Sequence, residues 1–179
     1  ARKIHYFMLA LKNAKQEENY TIAGMSSLEL FYNTLITKND TTAYKYLEDA
    51  KTYYTLDNNT NGLAEVMQMP AYVELYKTNY KKSNQLVLEH LEDYKNIKDD
   101  QYYYMYALFM LSNNYTHLYD IKNAHKYLNQ LEALKSDTTI SQSLHASHLV
   151  SAYNCLAEEH LKMKKKDSSL TYLLKARKM

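Results

Sequence analysis

The sequence is poor in the residues that interrupt helices and build long loops. It contains two glycines and one proline among 179 residues, far below the roughly seven and five per cent of average usage. Loops are therefore expected to be short and regular elements long, which favours an all-α fold. The absence of tryptophan and the presence of twenty tyrosines do not contradict this, because tyrosine is only mildly disfavoured in helices.

Other absences exclude whole classes of protein. A single cysteine, Cys155, excludes an intrachain disulfide and a zinc cluster of thiolates. No apolar run approaches the roughly eighteen residues that span a bilayer, and no signal peptide is visible. No glycine-rich phosphate loop, nucleophile elbow or HExxH motif occurs. The sequence therefore predicts no cofactor and no membrane segment, and it leaves the compartment open between cytoplasm and periplasm.

Charge of neither sign dominates. The chain has 22 basic and 20 acidic residues, a formal net charge of +2, so no strong field attracts nucleic acid or an acidic membrane. The basic run Lys162–Lys166 lies at an expected turn, where charge runs are normally solvated. Tyrosines could stack on bases, but only two arginines accompany them. We therefore expect no nucleic-acid partner.

The stretch Met105–Ser136 is the clearest structural unit. Its apolar residues recur at spacings of three and four in two segments, as a helical period requires. The polar stretch Tyr119–Lys122 separates the segments and predicts a tight turn. The two apolar stripes are Leu108, Leu111 and Tyr115, then Ala124, Tyr127, Leu128, Leu131 and Leu134. Two amphipathic helices cannot bury these faces alone, so the unit requires neighbours.

The same alternation of helix and short turn extends over the rest of the chain. Polar turns are predicted at residues 38–41, 57–62, 79–80, 98–100, 136–139 and 164–167. Asp40 or Thr41 is expected to cap the helix that follows it. Pro70 lies inside a helix predicted over residues 62–77. Because an interior proline removes a hydrogen bond and costs about 3 kcal/mol if unrelieved, we expect a kink there.

These units superpose with a nearly constant period. A small residue stands near the start of each second helix, at Ala43, Ser83, Ala124 and Ser169. The steps are 40 residues from 43 to 83, 41 from 83 to 124 and 45 from 124 to 169. The residues four and seven positions later are Leu47 and Ala50, Val87 and His90, Leu128 and Leu131, and Leu173 and Ala176.

This pattern resembles the tetratricopeptide repeat. The signature of that family places a leucine and a small residue in the first helix, an aromatic three residues later and another small residue nine further on. Leu111, Ser112, Tyr115 and Ala124 match it. The other units match in part or depart from it, at Leu30, Phe31 and Ala43, at Pro70 and Ala71, and at Leu156, Ala157, His160 and Ser169.

The resemblance covers essentially the whole chain and implies an α-solenoid of antiparallel helix pairs in a right-handed superhelix. A half repeat over 1–18 would precede repeats over about 19–57, 58–97, 98–136 and 137–179. The long spacing is similar to that of kinesin light chains and bacterial peptide-sensing regulators. A HEAT-type solenoid is the alternative. Because the chain lacks an initiator methionine and begins inside a helical pattern, we expect it to be part of a longer protein.

The resemblance also implies that the first helix of each pair lines a concave surface. Aromatic rings interleaved with amides suit an extended peptide, because rings supply contact area at low entropy cost and amides pair with backbone groups. The predicted groove residues are Gln68, Tyr72, Tyr76, Tyr106, Phe109, Asn113, His117, Asn154 and Glu158. The alternative interpretation is that these tyrosines only pack on neighbouring helices.

Candidates for catalysis or metal binding are few. His145 and His148 lie one helical turn apart, a spacing that can share a metal ion. The acidic residues of the same helix follow about 15 Å further along its axis, so no single helix completes a site and we expect no metal. Cys155 and His160 are five residues apart, which places them more than about 100° apart around a helix. We therefore do not expect a nucleophile pair.

The combined prediction is an interaction module and not an enzyme. It would bind a peptide or protein partner as the sensory or scaffolding part of a larger bacterial regulatory protein. One alternative is a structural scaffold that assembles through its apolar terminal helices, Lys3–Ala14 and Leu170–Met179. Another is a helical hydrolase or phosphatase that uses histidine and glutamate side chains. The sequence does not specify the oligomeric state.

Overall fold

The structure, a computed structural model, describes residues 2–35, 40–97 and 100–179, and every regular element within these ranges is helical. The helices are α1 (Arg2–Gln16), α2 (Tyr20–Leu35), α3 (Asp40–Leu56), α4 (Thr60–Tyr76), α5 (Tyr80–Glu89), α6 (Leu91–Lys95), α7 (Tyr102–His117), α8 (Ile121–Ala133), a 3₁₀ turn (Leu134–Ser136), α9 (Gln142–Lys162) and α10 (Lys166–Arg177). The predicted all-α class is thereby confirmed. None of the described helices combines the length and the apolar character that crossing a bilayer requires.

The chain divides into two compact units, Ala1–Met67 and Gln68–Met179, with the boundary inside α4. In the first unit α2 packs against both α1 and α3. Its core consists of buried side chains spaced three or four residues apart, which include Leu28, Phe31, Ala43, Leu47 and Tyr54. This unit is held together by consecutive helices in contact.

In the second unit α7 is the central helix. It packs against α5, α6, α8 and α9, while α10 packs against α9. The fully buried side chains of this core come mainly from α7, α8 and α9: Met105, Leu108, Leu111, Leu128, Leu131, Leu149 and Leu156. Most of the apolar stripes predicted for Met105–Ser136 therefore face the interior, where α7 and α8 bury them against each other and against α9, whereas Tyr115 and Leu134 are half-buried.

Five turns between helices share one backbone geometry. One residue in each has a positive φ between 53° and 59°: Glu18, Asn58, Thr78, Tyr119 and Lys164. The N–H of the residue that follows each of them donates to the carbonyl five residues earlier, at 2.8–3.0 Å. This is the long hydrogen bond of the Schellman motif. The chain makes these turns without glycine, so its low glycine content does not prevent tight connections.

Three of the following helices begin with a side-chain cap. The side-chain oxygens of Asn19, Asn59 and Asp120 each accept a hydrogen bond from a backbone N–H three residues later, at 3.1, 2.8 and 3.2 Å. Such caps satisfy one of the free donors at a helix start. The turn predicted over 38–41 includes residues that the structure does not describe. The side chain of Asp40, a predicted helix cap, and residues 98–99 of another predicted turn also lie outside the described residues.

Several predicted boundaries are corrected by the structure. Because α4 begins at Thr60, the break predicted over 57–62 is confined to 57–59 and Gly62 is helical. The helix predicted to continue from Ser83 to Tyr94 is divided at His90, whose φ of −115° interrupts it. Ile140 precedes α9 instead of lying within it. Helix α4 continues through Pro70, and the kink stays a prediction.

The small residues that define the sequence period are all buried. Ala43, Ser83 and Ala124 have no exposed surface, and Ser169 is 4% exposed. The Ser83 hydroxyl donates to the carbonyl oxygen of Ala71 at 2.9 Å. Small side chains at these positions let neighbouring backbones approach closely.

Candidate functional site

Four of the predicted groove residues form one stripe along α7. Tyr106, Phe109, Asn113 and His117 are three or four residues apart, so they lie on the same side of the helix. All four are half-buried. We call this set the α7 stripe; its ring and hydrogen-bond contacts show that it faces α9.

The first half of the α7 stripe is an aromatic surface. The Tyr106 ring stacks on Tyr102 with centroids 6.1 Å apart, and the His148 ring of α9 lies 5.4 Å from Tyr106 and 4.5 Å from Phe109. Burial raises the pKa of Tyr106 to about 12, so its hydroxyl is protonated at neutral pH. Burial, with a smaller contribution from His145, lowers the pKa of His148. Its imidazole is therefore harder to protonate than that of an exposed histidine.

Two polar atoms within this surface lack partners among the described residues. They are the side-chain oxygen Oδ1 of Asn113 and the ring nitrogen Nε2 of His148, and both are shielded from solvent. An unpaired buried donor or acceptor costs about 1–3 kcal/mol. The α7 stripe thus retains hydrogen-bonding capacity that the chain itself does not use.

The second half of the α7 stripe centres on His117. Its Nδ1 lies 3.3 Å from Oε1 of Glu159, and its Nε2 lies 3.6 Å from Sγ of Cys155. The Tyr80 ring stacks on the imidazole at 4.7 Å, and Glu159 also accepts from Nζ of Lys162 at 2.7 Å. These contacts hold the histidine between α5 and α9.

Cys155, His117 and Glu159 stand in the order of a nucleophile, a base and a group that orients the base. Burial, together with the negative charges of Glu159 and Glu158, raises the pKa of Cys155 to about 12. The thiol is therefore protonated at neutral pH, and the thiolate is the reactive form. Burial opposes ionisation of Glu159, but Lys162 and His117 together bring its pKa below the usual value. This cluster is suited to a structural role.

The spacing of Cys155 and His160 predicts no pair between them, and the structure instead places His117, which belongs to another helix, beside the thiol. His145, which lies one helical turn before His148, is buried, and its Nε2 lies 2.7 Å from the carbonyl oxygen of Leu131. Among the residues that the structure describes, no three histidine, cysteine, aspartate or glutamate side chains converge to hold a metal ion.

The predicted groove residues of α4 are placed in different environments. Gln68 is 2% exposed, and its Nε2 donates to the carbonyl oxygen of Tyr103 at 3.2 Å. Its amide is thus used to hold the start of α7. Tyr72 and Tyr76 are 37% and 84% exposed, so their rings are accessible.

The two predicted residues of α9, Asn154 and Glu158, are exposed. The side chains of α9 that touch the α7 stripe are instead His148, Cys155 and Glu159. Each of the last two is one position beyond a predicted residue, a rotation of about 100° around the helix. In the sequence, His148 stands out only because its spacing from His145 is one that can share a metal ion.

No model of a protein family, no curated protein and no solved structure matches the chain significantly. The chemistry that the site offers therefore follows from its own residues. It consists of a half-buried aromatic surface that contains the unpaired atoms of Asn113 and His148.

Proposed function

We propose that this chain is a peptide- or protein-binding module in which tetratricopeptide-like helix pairs follow one another in a right-handed superhelix. The observation that carries the proposal is the α7 stripe, which places half-buried rings on the same helix face as Asn113, whose Oδ1 is unpaired. A partner that covers the accessible part of this stripe with apolar groups would bury the rings, and its N–H donor would satisfy the shielded oxygen once the Asn113 side chain turns towards it.

Three features support the repeat architecture. Consecutive helices pack together as α2 with α3, α7 with α8 and α9 with α10. Five turns have the same left-handed residue and long hydrogen bond. The small residues at the repeat position are buried. Each of these is expected when one supersecondary unit recurs along a chain.

The chemistry of the α7 stripe favours an extended peptide. Backbone N–H groups of a peptide can donate to Oδ1 of Asn113, and its side chains can contact Tyr106 and Phe109. Tyrosine and phenylalanine give large contact areas with few rotatable bonds, so ordering them costs little entropy. The accessible Tyr72, Tyr76, Asn154 and Glu158 are further contact residues in this proposal. In a larger bacterial regulatory protein, binding would alter the superhelix and signal to an attached domain.

The test is selection from a phage-displayed library of random peptides, followed by affinity measurements with one enriched synthetic peptide. Asn113→Ala is expected to raise the Kd about tenfold, the equivalent of one buried hydrogen bond, and Tyr72→Ala is expected to weaken binding as well. Asn129→Ala, at an exposed position of α8, is the matched control and should leave the Kd unchanged. No enriched peptide, or equal Kd values for all variants, would contradict the proposal.

A second candidate function, a scaffold that assembles through its ends, is favoured by one observation. Leu170, Leu173 and Leu174 of α10 are about half-exposed, and their spacing puts them on one face of the helix. Light scattering across a concentration series tests this candidate. A wild-type oligomer that dissociates in Leu173→Lys supports it, and a wild-type protein that stays monomeric at all concentrations excludes self-assembly.

A further inference from the structure

A second groove lies on the other side of α7 from the α7 stripe. Its volume is about 540 Å³, and Asn84 and Leu88 of α5 line it together with Tyr115 and Leu118 near the end of α7. Tyr115 follows Asn113 by two residues, a rotation of about 200° around the helix. The volume falls within the range of small-ligand sites, roughly 300–1,000 Å³. We call this feature the α5–α7 groove.

Asn84 is the unusual residue in the wall of the groove. It is 4% exposed, and both its Oδ1 and its Nδ2 are shielded and lack a partner among the described residues. An asparagine amide has two donors and one acceptor oxygen. Leaving a buried donor and a buried acceptor unpaired destabilises the fold. Asn84 thus has an unused donor and an unused acceptor beside the α5–α7 groove.

The neighbouring polar side chains are paired in part, since Oδ1 of Asn114 also lacks a partner among the described residues. Asn114 of α7 is fully buried, and its Nδ2 donates to Oγ of Ser83 at 3.0 Å. Ser83, the residue before Asn84, donates in turn to the carbonyl oxygen of Ala71. This chain of hydrogen bonds bypasses Asn84, whose amide has no role in it.

The unpaired atoms of Asn84 select the chemistry of a ligand. A secondary amide both donates and accepts, so it can satisfy Oδ1 and Nδ2 together. A carboxylate has no donor for Oδ1, and an ammonium group has no acceptor for Nδ2. Leu88 and Leu118 provide apolar surface for an aliphatic group. The rim carries Lys81 and Asp120, whose opposite charges favour a ligand without net charge.

We propose that the α5–α7 groove binds a secondary amide that carries an aliphatic side chain, the chemistry of one residue within a peptide backbone, through the side-chain amide of Asn84. Because that amide is shielded in the free protein, the side chain turns towards the groove as the ligand enters. The site shares no residue with the α7 stripe, so the chain would hold two peptide segments on opposite sides of α7.

The test is an NMR titration of the full, isotope-labelled chain with N-acetyl-leucine N-methylamide. Saturable shifts are expected for the side-chain NH₂ of Asn84 and for the methyl groups of Leu88 and Leu118. The matched ligand N-acetyl-N-methyl-leucine N,N-dimethylamide has no N–H and cannot donate a hydrogen bond, and isovalerate carries an aliphatic group and a carboxylate but no amide. Both are expected to bind at least about tenfold more weakly, the loss of one hydrogen bond.

Two variants complete the experiment. Asn84→Leu removes the amide and is expected to abolish the shifts at the groove. Leu88→Lys changes an exposed residue of the wall and leaves Asn84 in place, so it tests the groove if the first variant does not fold. It too is expected to remove saturable binding.

The outcomes separate this proposal from the proposed function. Absence of saturable shifts at Asn84, or equal binding of the ligand that has no N–H, overturns the α5–α7 groove as an amide site. Shifts confined to Asn113 and His148 also overturn it, and they support the α7 stripe instead. Loss of peptide binding in Asn113→Ala with unchanged shifts at Asn84 would show two independent sites.

Discussion

A Cβ atom placed on Gly24 would lie 2.5 Å from Cε1 of Tyr54, a distance that real contacts do not show. A Cβ on Gly62, the other glycine of the sequence, would lie 2.5 Å from Cδ1 of the same ring. The Tyr54 side chain is 3% exposed and so cannot swing into solvent. Both glycines therefore make room for one buried tyrosine and do not serve turns.

Gly24→Ala is expected to lower the free energy of unfolding by about 1–3 kcal/mol, the usual cost of overpacking a core. Helix propensity alone would predict a gain of about 1 kcal/mol, so the sign of the effect is diagnostic. Urea denaturation measures it. In a Tyr54→Leu background the same substitution should be neutral or stabilising. A destabilisation of equal size in both backgrounds would mean that Tyr54 is not the cause.

Tyr119→Gly is expected to stabilise the protein. Tyr119 is exposed and has a φ of 59°, a conformation that costs an L-residue roughly 1–2 kcal/mol and glycine almost nothing. Because glycine loses more backbone entropy on folding, part of this benefit is offset, and the free energy of unfolding is expected to rise by about 0.5–1 kcal/mol. Thermal unfolding should show a higher Tm for Tyr119→Gly. Tyr119→Ala, which keeps the strained backbone, should show no increase, and equal Tm values for the two variants would contradict the explanation.

Ser83→Ala is expected to destabilise the protein by about 1–3 kcal/mol. It removes the hydroxyl that accepts from Asn114 and donates to Ala71, so a buried amide loses its partner. Ser169 occupies the corresponding repeat position and is also buried, and Ser169→Ala is the matched control. The control is expected to be neutral or slightly stabilising because alanine is the better helix former. Similar losses in both variants would assign the effect to the repeat position itself.

Cys155 is expected to react slowly with iodoacetamide. With its pKa raised to about 12 by burial, very little thiolate exists at pH 8, whereas an ordinary cysteine with a pKa near 8.5 is partly ionised. Alkylation of the folded chain should therefore be at least about a hundredfold slower than alkylation in denaturant. Mass spectrometry follows the reaction. Rapid alkylation that becomes slow in His117→Ala would show that the thiol is activated and would support an enzymatic role.

Acidification is expected to destabilise the fold before its carboxylates are protonated. Burial lowers the pKa of His148 and, with the charges of Lys165 and His125, that of His160. The unfolded chain, in which a histidine has a pKa near 6.5, then binds more protons than the folded one. Stability is therefore complete above about pH 7 and falls as the pH drops through about 6.5.

Urea denaturation at several pH values measures this dependence. His148→Phe should flatten the stability profile between about pH 7 and pH 5.5, because the variant has one fewer group that takes up a proton on unfolding. The lowered pKa of Glu159 acts only below the usual pKa of about 4.3, outside this window. Stability that stays constant or rises on acidification would contradict the conclusion that burial lowers the pKa of His148 and His160.

The helices could be predicted because their signals are local. Apolar residues at spacings of three and four mark α7 and α8. The polar stretch Tyr119–Lys122 marks the turn between them, although α8 already begins at Ile121. The burial of Ala124 and Ser169 also follows from the repeat period. By contrast, the Asn-rich stretch before Gly62 predicts a turn there, and only the contact with Tyr54 explains why a glycine stands inside α4.

The candidate site could be predicted on one helix but not between two. Tyr106, Phe109, Asn113 and His117 share a face because the helical period puts them there. Which side of α9 meets them depends on the rotation of that helix around its own axis. An error of one residue, about 100°, exchanges Glu158 for Glu159.

The sequence by itself determined the all-α class, the positions of most helices and the α7 stripe, because helix formation depends on neighbours a few residues apart. The tertiary structure decided that Gln68 holds Tyr103, that His117 meets Cys155 and that Asn84 is left unpaired beside a groove. Those contacts depend on how helices rotate and shift as many side chains pack at once, and no short segment of the sequence records that outcome.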